Sequence, residues 1–172
     1  MGKLSEFFED AGQVRSETVS LVTLAAEHPV VHATLERAGW NIAYRCDTSE
    51  WDRALRSEGF SVNTPAMKVL SELGGLTVNP PRRGAAVYGS GPIVMDPLLA
   101  ASGEADRIKQ RESELGLALC PVGEWMGEYI LLVAEDGSVW AETTFQVLRI
   151  GENLATALRV MIVADTAPEQ VD

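Results

Sequence analysis

Residues 127–145, GEYILLVAEDGSVWAETTF, constrain the fold of this chain more than any other stretch. Tyr129, Leu131 and Val133 alternate with Ile130, Leu132 and Ala134, so both faces of the run are apolar. Such a run reads as a central strand, covered on each side or on one side with a hydrophobic rim. Asp136-Gly137 follows within Glu135-Asp136-Gly137-Ser138, and Asp-Gly is a strong hairpin signal because both residues tolerate positive φ. The return arm places Val139, Ala141, Thr143 and Phe145 on one side, with Trp140, Glu142 and Thr144 on the other. A hairpin with one buried arm and one acidic, Trp-bearing arm is a scaffold that displays a surface.

Charge is the next constraint. The chain has 172 residues, a formal net charge of −11 and a hydrophobic content of 46%. That length suits one domain with a real core and a short appendage, and that hydrophobic content opposes wholesale disorder. The acidity repels nucleic acid and anionic membrane and steers the chain toward basic partners. It is also uneven: between residues 112 and 148 there are seven acids and no Lys or Arg. Cys46 and Cys120 are too few and too far apart for a disulfide framework or a zinc site, and read as reduced thiols. No positive head joined to an apolar core opens the sequence, and Leu154–Val163 is too short to span a bilayer and contains Arg159. The expected compartment is the cytoplasm.

Along the chain, helical spacing dominates first. Residues 3–10 suit a short amphipathic helical segment, and 16–27 a helix with Ser16 as N-cap; together 1–27 form an N-terminal helical extension. Pro29 starts a helix that Gly39 ends, and 40–46 alternates as a strand. Asp47-Thr48-Ser49-Glu50 caps a helix ending at Gly59, and Thr64-Pro65 caps another ending at Gly74. Short strands at 76–78 and 93–95 flank a Pro/Gly-rich loop at 80–91, in which Val87 and Tyr88 could pair. Asp96-Pro97, a charged helix at 104–115, a strand at 117–122, the central hairpin and a helix capped by Asn153 complete the domain. Helices, then a mostly antiparallel sheet with flanking helices, define an α+β domain over residues 28–165, with a polar tail at 166–172.

The residues offer little chemistry. His28 and His32 share helical spacing, but Pro29 stands where a zinc protease needs Glu, and no third ligand is evident. Gly89-Ser90-Gly91 lacks the spacing and Lys of a phosphate loop. Gly74-Gly75 reads as a helix-to-strand turn, Glu135-Asp136 as turn residues, and Arg82-Arg83 as too small a patch for nucleic acid. Neither cysteine has a sequence-level partner that would activate it as a nucleophile. The expectation is no catalytic residue, no metal and no cofactor. What remains is a protein-binding face: Trp125 and Trp140 as anchors, with Glu124, Glu128, Asp136 and Glu142 for steering.

Several segments taken together carry a family resemblance. They are AGW at 38–40, DTSEWDRALRSEGF at 47–60, LSELGGLTV at 70–78 and DP at 96–97. LALCPVGEW at 117–125, AEDGSVW at 134–140 and ATAL at 155–158 follow in order. From about residue 35 to 163 the chain resembles the third SUKH family (SUKH-3), a branch of the Syd/US22/Knr4-homology superfamily. The resemblance implies a SUKH-like α+β domain in a bacterial immunity protein that binds and neutralises a cognate secreted toxin. Toxins of such loci are often nucleases or nucleic-acid deaminases, and a basic cleft in one would suit an acidic inhibitor. The resemblance carries over no contact residues, since Gly39-Trp40, Gly74-Gly75 and Asp136-Gly137 look structural. The competing reading is a non-enzymatic regulatory or scaffold module that binds an endogenous protein.

Overall fold

The doubly apolar run lies at the centre of a seven-stranded sheet in a computed structural model that describes residues 20–82 and 90–171. The strands are β1 (Thr77–Val78), β2 (Ile93–Val94), β3 (Leu119–Trp125), β4 (Tyr129–Ala134), β5 (Val139–Glu142), β6 (Val147–Gly151) and β7 (Glu169–Val171). Each pairs antiparallel with the next, so the sheet is a meander in chain order. All six residues of β4 are buried, as a strand apolar on both faces requires. Pro121 interrupts β3 without an N–H to give, and the register shifts between Pro121 and Gly123. Gly123 is required there: a Cβ would stand 2.2 Å from the Val94 carbonyl oxygen.

Helices α1 (Leu21–Glu27), α2 (Pro29–Arg37), α3 (Ser49–Glu58) and α4 (Thr64–Leu73) precede the sheet. Helices α5 (Pro97–Ala101) and α6 (Ala105–Leu115) lie between β2 and β3, and α7 (Leu154–Val163) between β6 and β7. Helix α4 packs on β3 and β4, α5 on β3 and α3, and α7 on β6, with α1 and α2 against α7. Buried leucines join the layers in one core, including Leu35, Leu55, Leu70, Leu131 and Leu158. Seven helices and this antiparallel sheet, among the described residues, make the α+β fold that the residue pattern predicts.

Several local expectations are corrected. Residues 40–46 form a turn and extended coil and join no strand. Their backbone bonds elsewhere: Trp40 N donates to Leu35 O of α2 at 3.0 Å, Tyr44 N to Asn41 O at 2.9 Å and Cys46 N to Ser71 O of α4 at 2.9 Å, while the Tyr44 hydroxyl donates to Gly74 O at 2.7 Å. The cap of α4 is Asn63 rather than Thr64. Its Oδ1 accepts from Ala66 N, and its Nδ2 donates to Val133 O, both at 2.9 Å, so one side chain starts the helix and moors it to β4.

The hairpin turn has positive φ at Gly137 alone, with Gly137 N donating to Ala134 O and Ala134 N to Ser138 O. That is a wider loop closed by a left-handed glycine, not a two-residue turn. Strand β5 stops at Glu142, residues 143–146 turn, and β6 follows unannounced. The polar tail supplies β7, paired with β6. Helix α1 begins at Leu21 with Ser20 Oγ accepting from Thr23 N at 3.2 Å. The expected segment at 3–10, the Ser16 cap and the pairing of Val87 with Tyr88 lie outside the described residues.

Candidate functional site

Three of the six expected contact residues are in the interior. Trp125 ends β3 fully buried, its ring centroid 5.6 Å from that of Tyr129 at a 42° tilt. Trp140 is 6% exposed; its Nε1 donates to Ser138 Oγ at 2.8 Å, and the Arg149 guanidinium lies 6.0 Å from the ring centroid. Glu142 has no exposed surface at all. Its Oε1 receives Arg107 Nη1 at 2.5 Å, and its Oε2 faces Arg111 Nε at 3.5 Å. Burial pushes the Glu142 carboxyl above its ordinary range, and the charges of Arg107 and Arg111 pull against that without reversing it. Both arginines come from α6, so this carboxyl clasps helix to sheet. Alternation in β5 turned Trp140 and Glu142 to one face, but that face is covered, so these three side chains present nothing to a partner.

The other three reach solvent, at different places. Glu128 is exposed in the turn between β3 and β4. Glu124, half-buried, precedes it on β3 opposite Ile130. Asp136 is exposed in the β4–β5 turn, beyond the opposite end of β4. A six-residue strand separates these ends by about 20 Å. The fold therefore brings Glu124 and Glu128 together and sets Asp136 apart, with Glu135 beside it.

One exposed residue was missed. Phe145 is 94% exposed, in the turn between β5 and β6. Alternation along 139–145 assigned it to the side of Val139 and Ala141, but β5 ends before it. The alternation restarting at Val147-Leu148-Arg149-Ile150 is the signal that a second strand, and hence a turn, lay there. Ile130 pairs with Glu142 and Glu142 with Val147, so this turn and the Glu128 turn share one end of the sheet. Gln146 Nε2 donates to the Tyr129 hydroxyl and joins the two.

The remaining candidates for chemistry have ordinary roles. His32 Nε2 lies 3.4 Å from Glu36 Oε1, one helical turn on, with its ring edge-on to Trp40. Cys120 is fully buried, and burial pushes its thiol up to about 12; a thiol held protonated is a poor nucleophile. An open cleft beside α3 is lined by Thr48, Ser49, Asp52, Arg53, Arg56 and Met67, with Arg56 paired to Asp52 at 3.0 Å. Among the described residues no three His, Cys, Asp or Glu side chains are grouped to hold a metal ion, and no helix is long and apolar enough to cross a membrane.

Fold and surface thus define a helix-covered antiparallel meander that offers exposed turns at both ends of its sheet. The model of the SUKH-3 immunity protein family matches residues 27–163. The chain belongs to that family, and membership supports a role in immunity to a toxin. No curated protein and no solved structure matches it.

Proposed function

We propose that this chain is a non-enzymatic cytoplasmic immunity protein that neutralises its toxin by stoichiometric contact through exposed acidic residues. Family membership across residues 27–163 is the observation that carries the reading. The net charge of −11 supports a basic partner, because opposite fields speed encounter and suppress wrong partners. A toxin that acts on nucleic acid, as nuclease or deaminase, has a basic cleft for the phosphate backbone, and a carboxylate-bearing inhibitor occupies it in place of substrate. Glu124 and Glu128 at one end of the sheet, and Asp136 at the other, are the carboxylates of the original set that remain accessible for this. The same acidity disfavours nucleic acid and anionic membrane as partners.

Growth rescue tests the reading. The chain is co-expressed with the C-terminal domain of the large secreted protein encoded nearest to it, and survival is scored beside copurification. Rescue that tracks a one-to-one complex is the expected result. A soluble chain that neither binds nor rescues, against a toxin domain shown to kill, would overturn the assignment to that toxin. Rescue without any complex would instead point to a catalytic or regulatory role.

A further inference from the structure

We infer that the turn at residues 143–146 is the toxin-docking surface, with Phe145 as its apolar anchor and a basic toxin domain as its occupant. The inference rests on the immunity reading above and specifies which part of the molecule carries it.

Phe145 has 94% of its surface in water, more than any other large apolar side chain among the described residues. It adds almost nothing to folding by burial, since stabilisation follows the apolar area removed from water. A single exposed apolar side chain is ordinary on a protein surface. What sets this one apart is how its backbone is held. Thr143 N donates to Gln146 O at 2.9 Å, and Thr143 Oγ1 accepts from Phe145 N at 3.2 Å and from Gln146 N at 3.3 Å. Gln146 Nε2 reaches across to the Tyr129 hydroxyl on β4. From α6, Arg111 Nη2 donates to Thr144 O at 3.4 Å. Three elements therefore fix a turn whose outermost ring packs on nothing. An aromatic presented from a fixed turn loses little conformational entropy on binding, and aromatic anchors of this kind dominate interface energies.

The surrounding charge selects the partner. Glu128 is exposed in the adjoining turn, with Glu124, half-buried, near the end of β3. Arg111 is the cation that reaches the 143–146 turn, and it is already engaged by Glu114 at 2.6 Å and by the buried Glu142. The tip thus combines an apolar anchor with a negative rim. It fits a basic surface containing an apolar socket, with charge governing encounter and the ring governing residence.

The test measures binding of the full chain to the C-terminal domain of the large secreted protein encoded nearest to it. Phe145→Ala and Phe145→Asp should raise the dissociation rate about 30-fold or more and change the association rate by less than about threefold. Glu128→Lys should slow association at low salt. Thermal midpoints should stay at the wild-type value, because Phe145 packs on nothing, and Leu99→Ala, 66% exposed on α5, should bind as wild type. Wild-type kinetics for both Phe145 variants, in a complex that the wild-type chain does form, would overturn the surface and leave the immunity reading standing. Failure of the wild-type chain itself to bind or rescue would remove that reading, and the surface with it. If Phe145→Ala dissociates a self-associated chain in sedimentation while toxin affinity is unchanged, the occupant is a second copy and the proposal is overturned.

Discussion

The indole N–H of Trp140 donates to Ser138 Oγ at 2.8 Å, and that hydroxyl donates in turn to Asp136 Oδ1 at 2.5 Å. Asp136 Oδ1 also accepts from Ser138 N at 2.9 Å. A buried ring on β5 is thereby tied, through one hydroxyl, to an exposed carboxylate in the turn. Ser138 is itself 1% exposed, so no water replaces it without rearrangement.

Removing that hydroxyl leaves a buried indole donor without its acceptor. Ser138→Ala should lower unfolding free energy by about 2 kcal/mol, the cost of an unmade buried hydrogen bond. Trp140→Phe removes the donor as well, so the double variant should lose less than the sum of the single losses. Urea unfolding of the four proteins measures this. Strict additivity would mean that the three groups do not act as a unit.

Two of the perturbed carboxyls, Asp136 and Glu142, give stability opposite pH dependences. At Asp136 burial pushes the carboxyl up, but hydrogen bonds from Ser138 and the charge of Arg149 outweigh it and hold the group below its ordinary 3.8. Its stabilisation is present above that value and is lost as pH falls through the lowered one. At Glu142 burial prevails and the carboxyl lies above its ordinary 4.5, so its contribution is present below 4.5 and is lost as pH rises through the raised value. Asp136→Asn should flatten the acid limb of the stability–pH curve below about pH 4. Glu142→Gln should flatten the region above 4.5 instead. Chemical denaturation from pH 2.5 to 7 distinguishes the two; a shared response would refute the assignment.

Periodicity made the central hairpin legible because β4 is apolar on both faces and has few other places to go. Pro29, Gly59 and the Asp96-Pro97 pair likewise mark helix ends by local backbone chemistry, which needs no tertiary information. What sequence alone could not supply was which face of a strand is covered. Trp140 and Glu142 alternate outward from Val139 and Ala141 by the same rule whether water or protein lies beyond them. A buried Glu beside two arginines some thirty residues upstream has no local signature, so Glu142 read as a surface acid. Phe145 failed in the opposite direction, because alternation was carried past the true end of β5. Trp40 and its successors alternate like a strand, yet their hydrogen bonds go to α2, to α4 and to one another. In each case a tertiary partner overrode a local pattern.

Glycine positions separate a steric requirement from a conformational one. At Gly123 a Cβ would meet the Val94 carbonyl oxygen at 2.2 Å, a backbone atom that cannot rotate away. Gly127 has φ of +75° but nothing within 4 Å of a Cβ. Gly123→Ala should therefore cost about 3 kcal/mol through forced separation of β2 from β3. Gly127→Ala should cost about 1 kcal/mol through the left-handed backbone alone. Thermal unfolding ranks the pair, and a larger loss at Gly127 would contradict the close approach of β2 to β3 at Gly123.

The clasp on Glu142 should matter beyond stability. Glu142→Ala removes the carboxyl that joins Arg107 and Arg111 to β5, while each arginine keeps a carboxylate on its own helix, Glu104 at 2.8 Å and Glu114 at 2.6 Å. The loss should be about 2 kcal/mol, that of a charged hydrogen bond. Arg107→Ala should cost at least as much, because it strips the fully buried carboxyl of its short hydrogen bond and leaves it only Arg111 Nε at 3.5 Å. Helix α6 is the element released, so its amides should exchange faster in both variants, while those of α7, which packs on β6, should not. Arg111 also holds the Thr144 carbonyl, and loosening α6 therefore loosens the turn that presents Phe145. Glu142→Gln, which keeps the side chain's size and one acceptor, should leave the fold intact and raise toxin dissociation several-fold, although Glu142 touches no partner. A change in association rate instead, with α6 exchange unaltered, would mean that the Glu142 charge is felt directly at the interface, as an exposed acid's would be.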